Sequence, residues 1–379
     1  HQASWRLAMA AASFERGTTT KTYRELSEAL DGVGATFGDS SKEEGTQFFG
    51  NSLSGNLDLL LDTATDMLLN PTFPEEEIGK VRSEILTSLR ENEDSTRDVA
   101  LKTARQLLYP AGHPYHTWER GESETIAALT REDLLAYHRD AVHPARGIVV
   151  LVGDVDPERA VDMIRERLGS WQPAQLPAAF PDLAAGPPAE MVTRDVLMAS
   201  KTQCDIVMAT TGVPRPHEDF LPLSFAINIL GQLGFMGRFG ATVRDELGLA
   251  YYCYAAGGEQ HGPAMWFAQA GVNPKNVRLA TDTMLQQMRQ MQQELVSQEE
   301  YDHLVANLLG SLAMLLEGKS KIMWSLLSIE KWGLGEDYYE RYPDLVRGVT
   351  REAILEAARK YFRPDAHGRA DRRRHAHQG

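Results

Sequence analysis

Apolar residues recur at helical spacing along much of the chain. The first clear run predicts a helix that ends at Asn70-Pro71, because a proline ring clashes with the turn before it. A second helix should begin at Pro74, whose fixed φ suits a first turn, and the carboxylates of residues 75–77 favour the positive helix end. The face of the first helix carries Leu57, Leu60, Leu61, Ala64 and Leu68, and that of the second carries Ile78, Val81, Ile85 and Leu89.

Cap and turn residues mark further elements in this half of the chain. The capping-box pattern at residues 130–133 predicts a helix that runs to about Ala141. The dipeptide Asp156-Pro157 predicts the start of another helix. Between them, the β-branched run Ile148–Val152, closed by Gly153, predicts a short buried strand.

The second half mixes strand and helix patterns. Cys204–Thr211 and the residues around Tyr251-Tyr252 are predicted to be strands. Phe220–Leu230 has the pattern of a helix, and Asp219 is expected to cap it. A helical core stripe is predicted for Met284, Met288, Met291 and Leu295.

The two halves repeat one another. Two segments recur at the same offset of 220 residues, Leu129-Thr130-Arg131-Glu132 as Val349-Thr350-Arg351-Glu352 and His143-Pro144 as Arg363-Pro364. A looser match relates residues 74–78 to residues 297–301. A constant offset of this kind predicts two homologous α+β domains in tandem. Where the first copy continues into its predicted strand, the second continues into an Arg- and His-rich stretch, so we expect the ends to be truncated or altered.

A proline-rich stretch separates the two copies. Five prolines among small residues indicate a semi-rigid, extended connector. We therefore predict an N-terminal domain over residues 1–171, a linker over 172–190 and a C-terminal domain over 191–365. The Arg- and His-rich residues 366–379 are predicted to form a disordered tail, with a nucleic-acid arm or a metal tract as the alternative.

Composition narrows the functional classes. The 379 residues are 42% apolar and 24% charged, which is typical of a globular protein with room for two domains. The net charge of −14 argues against nucleic-acid binding, and no apolar run is long enough to predict a membrane span. Cys204 and Cys253 are too few for a Cys-based zinc cluster and are expected to be small buried residues, although one bridge between them stays open.

The histidines do not form a recognisable metal motif. His113 and His116 flank Pro114-Tyr115, and His138 and His143 are separated by five positions, with a proline following. A zinc site needs three or four convergent ligands, and no cluster in the sequence supplies them. The motifs H-E-x-x-H, H-x-x-E-H and G-x-S-x-G are all absent from the sequence.

A glycine-rich run offers the better candidate site. It follows a predicted helix and its spacing fits neither phosphate-binding fingerprint, and its members are Gly231, Gly234, Gly237 and Gly240. We interpret it as a loop whose backbone approaches a substrate peptide or another chain. Arg244 and Tyr251 come directly after it and could hold a substrate carbonyl or a developing oxyanion. The structural alternative is that Arg244 caps a helix end and Tyr251 lies half-buried on a strand.

These segments resemble a known family. The stretch from Gly231 to Tyr254, with Arg238, Arg244 and Gly248-Leu249-Ala250-Tyr251, is similar to the second-domain signature of the pitrilysin/insulinase family of zinc metallopeptidases, the inverzincins. Other segments match in order, namely Gly17-Thr18-Thr19-Thr20, Glu25-Leu26-Ser27, Leu30-Asp31-Gly32-Val33-Gly34-Ala35, Asn70-Pro71-Thr72-Phe73-Pro74, His113-Pro114-Tyr115, Gly121 and Val152-Gly153-Asp154. The resemblance implies two similar domains, each a mostly antiparallel sheet packed with helices.

The chain departs from the family at the metal. Catalytic members carry H-x-x-E-H, and the resemblance places its two His positions on Ala8 and Ala12 and its Glu on Ala11. The third ligand, a Glu on the later helix, would fall near Thr87 or Ser88. Alanine can neither bind Zn²⁺ nor act as a general base, so we expect no catalytic metal on this chain. The family's strand pair ahead of the first helix is also expected to be missing.

The resemblance therefore implies the non-catalytic subunit of a two-chain zinc metallopeptidase that degrades or processes peptides. In such a heterodimer an HxxEH-bearing homologous subunit supplies the zinc, and this chain is inactive alone. Arg244 and Tyr251 match the family's Arg/Tyr pair and would bind substrate or oxyanion. The four glycines would contact substrate or partner. Resemblance to two-chain bacterial members implies the periplasm or cell envelope, with the cytoplasm as the alternative.

Three other functions stay open at this point. The chain could be a purely structural or assembly subunit, in which case Arg244 and Tyr251 are dispensable. It could bind peptides with no catalytic partner. The weakest alternative is a self-sufficient hydrolase with metal at the scattered histidines, which their spacing disfavours.

Overall fold

The computed structural model describes residues 9–10, 12–117, 121–171, 183, 185–188, 190–199 and 201–364. Of the described residues, 58% are helical and 12% are in strands, with small antiparallel sheets, which confirms the predicted α+β class with two domains of one type. Packing divides it into two compact units. Unit 1 comprises His1–Ser95, Pro110–Leu183 and Ser311–Tyr338, and unit 2 comprises Thr96–Tyr109, Ala184–Gly310 and Tyr339–Gly379.

Helices predominate over strands among the principal elements of both halves of the chain. The first half contains α1 (Tyr23–Asp31), β1 (Thr36–Lys42), β2 (Gly45–Asn51), α2 (Leu57–Leu69), α3 (Glu75–Glu93), α4 (Thr96–Leu108), α5 (Ser123–Ala128), α6 (Arg131–Ala141) and α7 (Pro157–Leu168). The second half contains β3 (Cys204–Thr211), α8 (Phe220–Gly231), β4 (Ala250–Gly257), β5 (Met265–Val272), α9 (Val277–Gln293), α10 (Gln298–Leu315), α11 (Lys319–Trp332), α12 (Tyr338–Gly348) and α13 (Arg351–Tyr361).

Unit 1 has an apolar core in which α3 and α6 take part. The predicted helices α2 and α3 are confirmed, and Ile78, Val81 and Leu89 are buried on α3 while Ile85 is partly buried. Phe14 packs edge-on against Phe48 and Phe73, with ring centres 5.1 and 5.6 Å apart. Such aromatic pairs stabilise a core beyond the area that they bury. The strands β1 and β2 form an antiparallel two-stranded sheet beside this core.

The predicted strand at Ile148–Val152 is wrong. These residues form no ladder in the part of the chain that the structure describes, and Ile148 and Val149 are exposed. A β-branched run becomes a strand only when another strand satisfies its backbone N–H and C=O groups. The local pattern is typical of a strand, but β1 and β2, the strands described in unit 1, pair with each other and not with this run.

Unit 2 has a three-stranded antiparallel sheet in the order β3-β5-β4. Both strands predicted from the sequence, β3 and β4, are confirmed, and β5 lies between them. The predicted helix α8 is confirmed and packs its apolar residues into the core beside the sheet. Met284, Met288 and Met291 are buried on α9 as predicted, but Leu295 lies beyond the helix end and is 39% exposed.

The sequence repeat has a structural counterpart. The helices α6 and α13 both have 11 residues, and each begins at a threonine whose hydroxyl accepts a backbone N–H. Arg131 at the start of α6 donates from Nε to the carbonyls of Thr72 and Phe73, just before α3. Arg351 at the start of α13 donates from Nε to the carbonyl of Val296, at 2.6 Å, just before α10. The same arginine clamp therefore ties equivalent elements in both copies.

The predicted domain boundaries stay predictions. Most of the linker 172–190 and the tail 366–379 lie outside the described residues.

None of the described helices alone has the length and apolar composition to cross a membrane. One bent pair, Phe220–Gly231 and Leu233–Glu246, which meet at 86°, passes that test by length and composition only.

Candidate functional site

The glycine-rich run forms a kinked segment at the end of α8. Leu233–Phe239 contains four residues with non-helical backbone angles, Gly234, Phe235, Met236 and Gly237. A π-helical turn, Gly240–Glu246, follows. Gly248, with φ of +59°, then turns the chain into β4. The run is therefore a sharply folded connection in unit 2, since it joins the core helix α8 to a strand of the sheet.

Packing within the chain accounts for three of the four glycines. A Cβ on Gly231 would lie 2.0 Å from the amide nitrogen of Ala255 in β4. On Gly237 it would lie 2.4 Å from the carbonyl oxygen of Ile229, and on Gly240 it would lie 2.0 Å from that of Phe235. Only glycine permits these approaches. Gly234 has no atom within 4 Å of such a Cβ, but its φ of +58° is one that residues with side chains rarely adopt. Contact of the run with substrate or a partner stays a prediction.

Arg244 lies on the π-helical turn and is held by its neighbour. Its Nε and one terminal nitrogen donate to the two carboxylate oxygens of Asp245, at 2.7 and 3.1 Å. Hydrogen bonding to Asp245 raises the pKa of Arg244, and the same bonds lower the pKa of Asp245. Because this two-point contact lies at the surface, an incoming carboxylate or carbonyl could replace Asp245 at low cost.

Tyr251 is displayed by an irregularity in β4. The pairing of β4 with β5 shifts register between Ala250 and Tyr252, so Tyr251 is the extra residue of a β-bulge. Its side chain is 89% exposed, which contradicts the half-buried alternative. Bulges re-aim side chains and are common beside active sites. Arg244 donates to Asp245 rather than to Tyr251, and the two side chains stand on consecutive elements joined by the turn at Gly248.

Two other tyrosines on β4, Tyr252 and Tyr254, make hydrogen bonds that hold unit 2 together. Tyr252 donates to the carboxylate of Asp205, which also accepts from Thr96 at 2.6 Å. Tyr254 accepts from Arg97 at 2.6 Å and donates to the side chain of Gln269. These contacts fasten α4 to the sheet of unit 2. Tyr252 and Tyr254 are therefore hydrogen-bonded within unit 2, whereas the side chain of Tyr251 faces solvent.

The positions that the resemblance assigns to zinc carry no strong ligand. Ala8 and Ala11 lie outside the described residues, and Ala12 packs against the core of unit 1. Thr87 lies on α3 and donates its hydroxyl to the backbone carbonyl of Ser83, one turn earlier, and Ser88 is next to it. These residues do not fit a catalytic zinc ion, which takes His, Cys or carboxylate ligands.

An arginine–carboxylate cluster lies next to those positions in the sequence. Arg16 follows Ala12 by four residues, and its terminal nitrogens lie 3.8 Å from Glu77 and 3.4 Å from Glu84 on α3. Asp39 belongs to the same neighbourhood, and burial, reinforced by Glu15, raises its pKa to about 6. The sequence analysis missed this cluster because its members are far apart in the chain and no local motif joins them.

Three of the histidines discussed above act as caps or hydrogen-bond partners. His113 and His143 each accept a backbone N–H at Nδ1 at the start of a short helical turn. His138 contacts the carbonyl of Leu68 at 2.7 Å, and burial lowers its pKa. In the described part of the chain, no group of three or more His, Cys, Asp or Glu side chains is placed to hold a metal ion.

The structure tests the predicted helix cap at Asp219. Asp219 stands at the N-cap position of α8, but its side chain makes no capping bond and instead accepts from Lys360 and Tyr361. The predicted cap is therefore wrong, because two donors on α13 compete successfully for the carboxylate.

Cys204 and Cys253 are free, and burial raises the pKa of the Cys253 thiol to about 12. Such a thiol is a poor nucleophile at neutral pH.

Phe235 is the residue at this site that the sequence analysis overlooked. Its ring is 84% exposed, and the Cζ atom of Arg244 lies 6.0 Å from the ring centre. A large apolar residue between closely spaced glycines is the signal that could have drawn attention to it. Helical periodicity stops at Gln232, so nothing in the pattern assigns this side chain to the core.

Comparisons with known proteins give consistent results. Residues 12–111 match the family model for insulinase (peptidase family M16), and residues 128–308 match the model for the peptidase M16 inactive domain. The uncharacterized zinc protease YmxG of Bacillus subtilis is 23% identical over 314 residues, which are 82% of this chain and 74% of that protein.

Solved structures share the fold. The crystal structure of a peptidase M16 inactive domain from Pseudomonas fluorescens superposes with a TM-score of 0.86 at 19% identity, covering 96% of this chain and 86% of that one. The periplasmic protease PqqL from Escherichia coli has a TM-score of 0.71 at 15% identity, covering 94% of this chain and 39% of that one.

Proposed function

Because the chain belongs to the insulinase (M16) peptidase family, with a C-terminal domain of the M16 inactive type, we propose that it is the non-catalytic subunit of a two-chain zinc metallopeptidase that acts on peptides. Inactive-type M16 domains generally pair with active M16 subunits. The partner is an HxxEH-bearing homologue, which supplies the zinc and its activated water. This chain contributes groups that bind the peptide.

One observation carries the proposal. Tyr251, 89% exposed on a bulge, follows Arg244 on the preceding turn, inside the segment that matches the inactive-domain model. Tyr251 faces solvent, and among the described residues the Arg244 guanidinium is bonded to an adjacent exposed carboxylate and lies near a surface aromatic ring. A guanidinium and a phenol placed at a surface can donate to a peptide carbonyl, and more strongly to the oxyanion that it becomes.

The division of labour follows from the sequence. Alanine at positions 8, 11 and 12 and hydroxyl residues at 87 and 88 leave this chain without a general base and without strong zinc ligands. Catalytic chemistry on this chain alone is therefore not expected.

We also propose a location in the bacterial cell envelope, on the basis of the fold shared with a periplasmic protease. Fractionation of the source cells with an antibody to this chain tests that location.

The test is zinc content and peptidase activity on an unstructured peptide. We expect the isolated chain to bind well below one equivalent of zinc and to be inactive, and the mixture with an HxxEH-bearing homologue to be active. Arg244→Ala or Tyr251→Phe should lower the rate of the mixture by about 10²–10³-fold, as loss of one oxyanion donor does elsewhere.

Two control variants make the result interpretable. Arg278 on α9 is an exposed arginine paired with Asp282, and Tyr23 on α1 is a partly exposed tyrosine in unit 1. Arg278→Ala and Tyr23→Phe should leave the rate unchanged. Stoichiometric zinc together with activity in the isolated chain would refute the proposal. An active pair that tolerates both site substitutions would identify the chain as a scaffold.

A further inference from the structure

The kinked segment presents Phe235 to solvent at a cost to the fold. The ring is 84% exposed although a phenylalanine gains most from burial. The next residue, Met236, has φ of +80°, a left-handed conformation that residues with a Cβ avoid. Among the described residues, the contact that the Phe235 ring makes is with the Arg244 guanidinium, at 6.0 Å from the ring centre, and the ring stays largely in water. Strained backbone of this kind is found preferentially at ligand-binding sites.

The presentation of Phe235 is built into the backbone. A Cβ added to Gly237 would lie 2.4 Å from the carbonyl oxygen of Ile229, and one added to Gly240 would lie 2.0 Å from the carbonyl oxygen of Phe235 itself. Any larger residue at these positions would push the loop away. The base of the loop is therefore fixed by α8 and by the π-helical turn. An aromatic residue on a constrained backbone has little backbone entropy to lose when it binds a partner, which suits a binding anchor.

The neighbourhood of Phe235 defines what it can bind. Arg244 lies 6.0 Å from the ring and holds the Asp245 carboxylate by two hydrogen bonds. Asp245 thus occupies the position that a carboxylate of a ligand would take. A ligand that fits this surface has an apolar side chain against Phe235 and a carboxylate beside it on Arg244.

We propose that Phe235 is a specificity-determining residue, which selects peptides that carry an aromatic or large aliphatic side chain next to a carboxylate. This inference rests on the proposed function, since it supposes that the peptide passes over Arg244. The apolar side chain of the peptide covers the Phe235 ring, and the peptide carboxylate replaces Asp245 on the Nε and Nη2 atoms of Arg244, which leaves Nη1 to donate to the peptide carbonyl. The exchange replaces one surface ion pair with another, so its net cost is small.

The test uses four peptides that differ only at two adjacent positions, Phe-Glu, Phe-Gln, Ala-Glu and Ala-Gln. Binding to the isolated chain is measured by fluorescence anisotropy, and KM and kcat are measured with the active pair. Phe235→Ala should weaken binding of the Phe-containing peptides about 10-fold and raise their KM similarly, with kcat unchanged and the Ala-containing peptides unaffected. Phe235→Leu should restore most of the loss.

Controls separate this inference from the proposed function. Leu197→Ala removes another exposed apolar side chain, 96% accessible, and should change nothing. Melting temperatures confirm that each variant folds. If Phe235→Ala affects all four peptides equally or none of them, the specificity role is refuted, and the Arg244 and Tyr251 results still decide the proposed function. If no active pair forms, peptide binding to the isolated chain still decides the role of Phe235.

A third result would reassign the residue. Sedimentation of the mixed chains measures their association independently of peptide. If Phe235→Ala weakens that association without discriminating among the peptides, Phe235 contacts the partner subunit, and the proposal is wrong.

Discussion

Individual residues at the candidate site show which side chains the fold needs and which it leaves free. Gly231, Gly237 and Gly240 are required by close packing, so their spacing reflects the fold rather than phosphate binding. Tyr252 is held by Asp205, whereas Tyr251, its neighbour in sequence, faces solvent because a bulge turns it away from the ladder. The contrast between adjacent tyrosines makes Tyr251 the candidate for binding.

The cluster around Arg16 makes a prediction about pH. Burial raises the pKa of Asp39 to about 6, with Glu15 adding to the rise and Arg16 opposing it. A carboxyl with a raised pKa in the folded state stabilises the protein below its unfolded pKa of about 3.9, and this contribution is lost as the pH rises through about 6. At pH 8 the free energy of unfolding of Asp39→Asn should therefore exceed that of the wild type by about 1–2 kcal/mol, after allowance for solvent screening, and the variant should unfold at a higher urea concentration.

Urea unfolding followed by circular dichroism at pH 4.5, 6 and 8 measures this difference. The gain from Asp39→Asn should grow between pH 4.5 and 8. Asp154→Asn, at an exposed carboxylate, should show no such growth. A difference that is the same at every pH would show that Asp39 does not titrate in this range.

Helices were predictable where the sequence contains its own start and stop signals. The capping box before α6 and the proline after Asp156 place the starts of α6 and α7 correctly. The strand at Ile148–Val152 failed because a strand needs a partner and a helix does not. The sequence repeat also corresponds to a shared tertiary contact. Arg131 donates to backbone carbonyls just before α3, and Arg351 donates to a backbone carbonyl just before α10.

The arginine clamp can be tested as an element-level contact. Arg351→Met keeps the aliphatic stem but removes the bonds to the Val296 carbonyl and to Gln298. Loss of a charge-assisted bond to a backbone carbonyl should destabilise the chain by about 1–3 kcal/mol in thermal or urea unfolding. Arg347→Met removes an exposed arginine paired with Asp344 and should cost less than about 0.5 kcal/mol. Equal effects of the two variants would contradict the clamp.

At the scale of the whole molecule, each compact unit borrows a segment from the other half of the chain. Unit 2 includes α4, whose Thr96 and Arg97 bind Asp205 and Tyr254. Unit 1 includes α11, whose Lys331 lies 3.7 Å from Glu44. Cutting the chain in the Pro-rich stretch would therefore remove packing segments from both units.

This interleaving predicts how fragments behave. Fragments 1–171 and 191–379, expressed separately, should lack cooperative unfolding, because each leaves polar and apolar surface of its core uncovered. Co-expression should restore a cooperative transition and co-purification. The same experiment tests the predicted domain boundaries, since two fragments that each unfold cooperatively alone would support independent domains.

Local periodicity, caps and residue identity were enough to predict the family, the tandem repeat and the limits of α2, α6, α7 and α8, and to show that the H-x-x-E-H motif is absent. Tertiary structure decided which strands exist, that Asp219 is used by α13, and that Phe235 and Tyr251 are exposed. Those outcomes depend on partners distant in the chain: pairing and burial are set by what another segment brings into contact, and no local pattern records that.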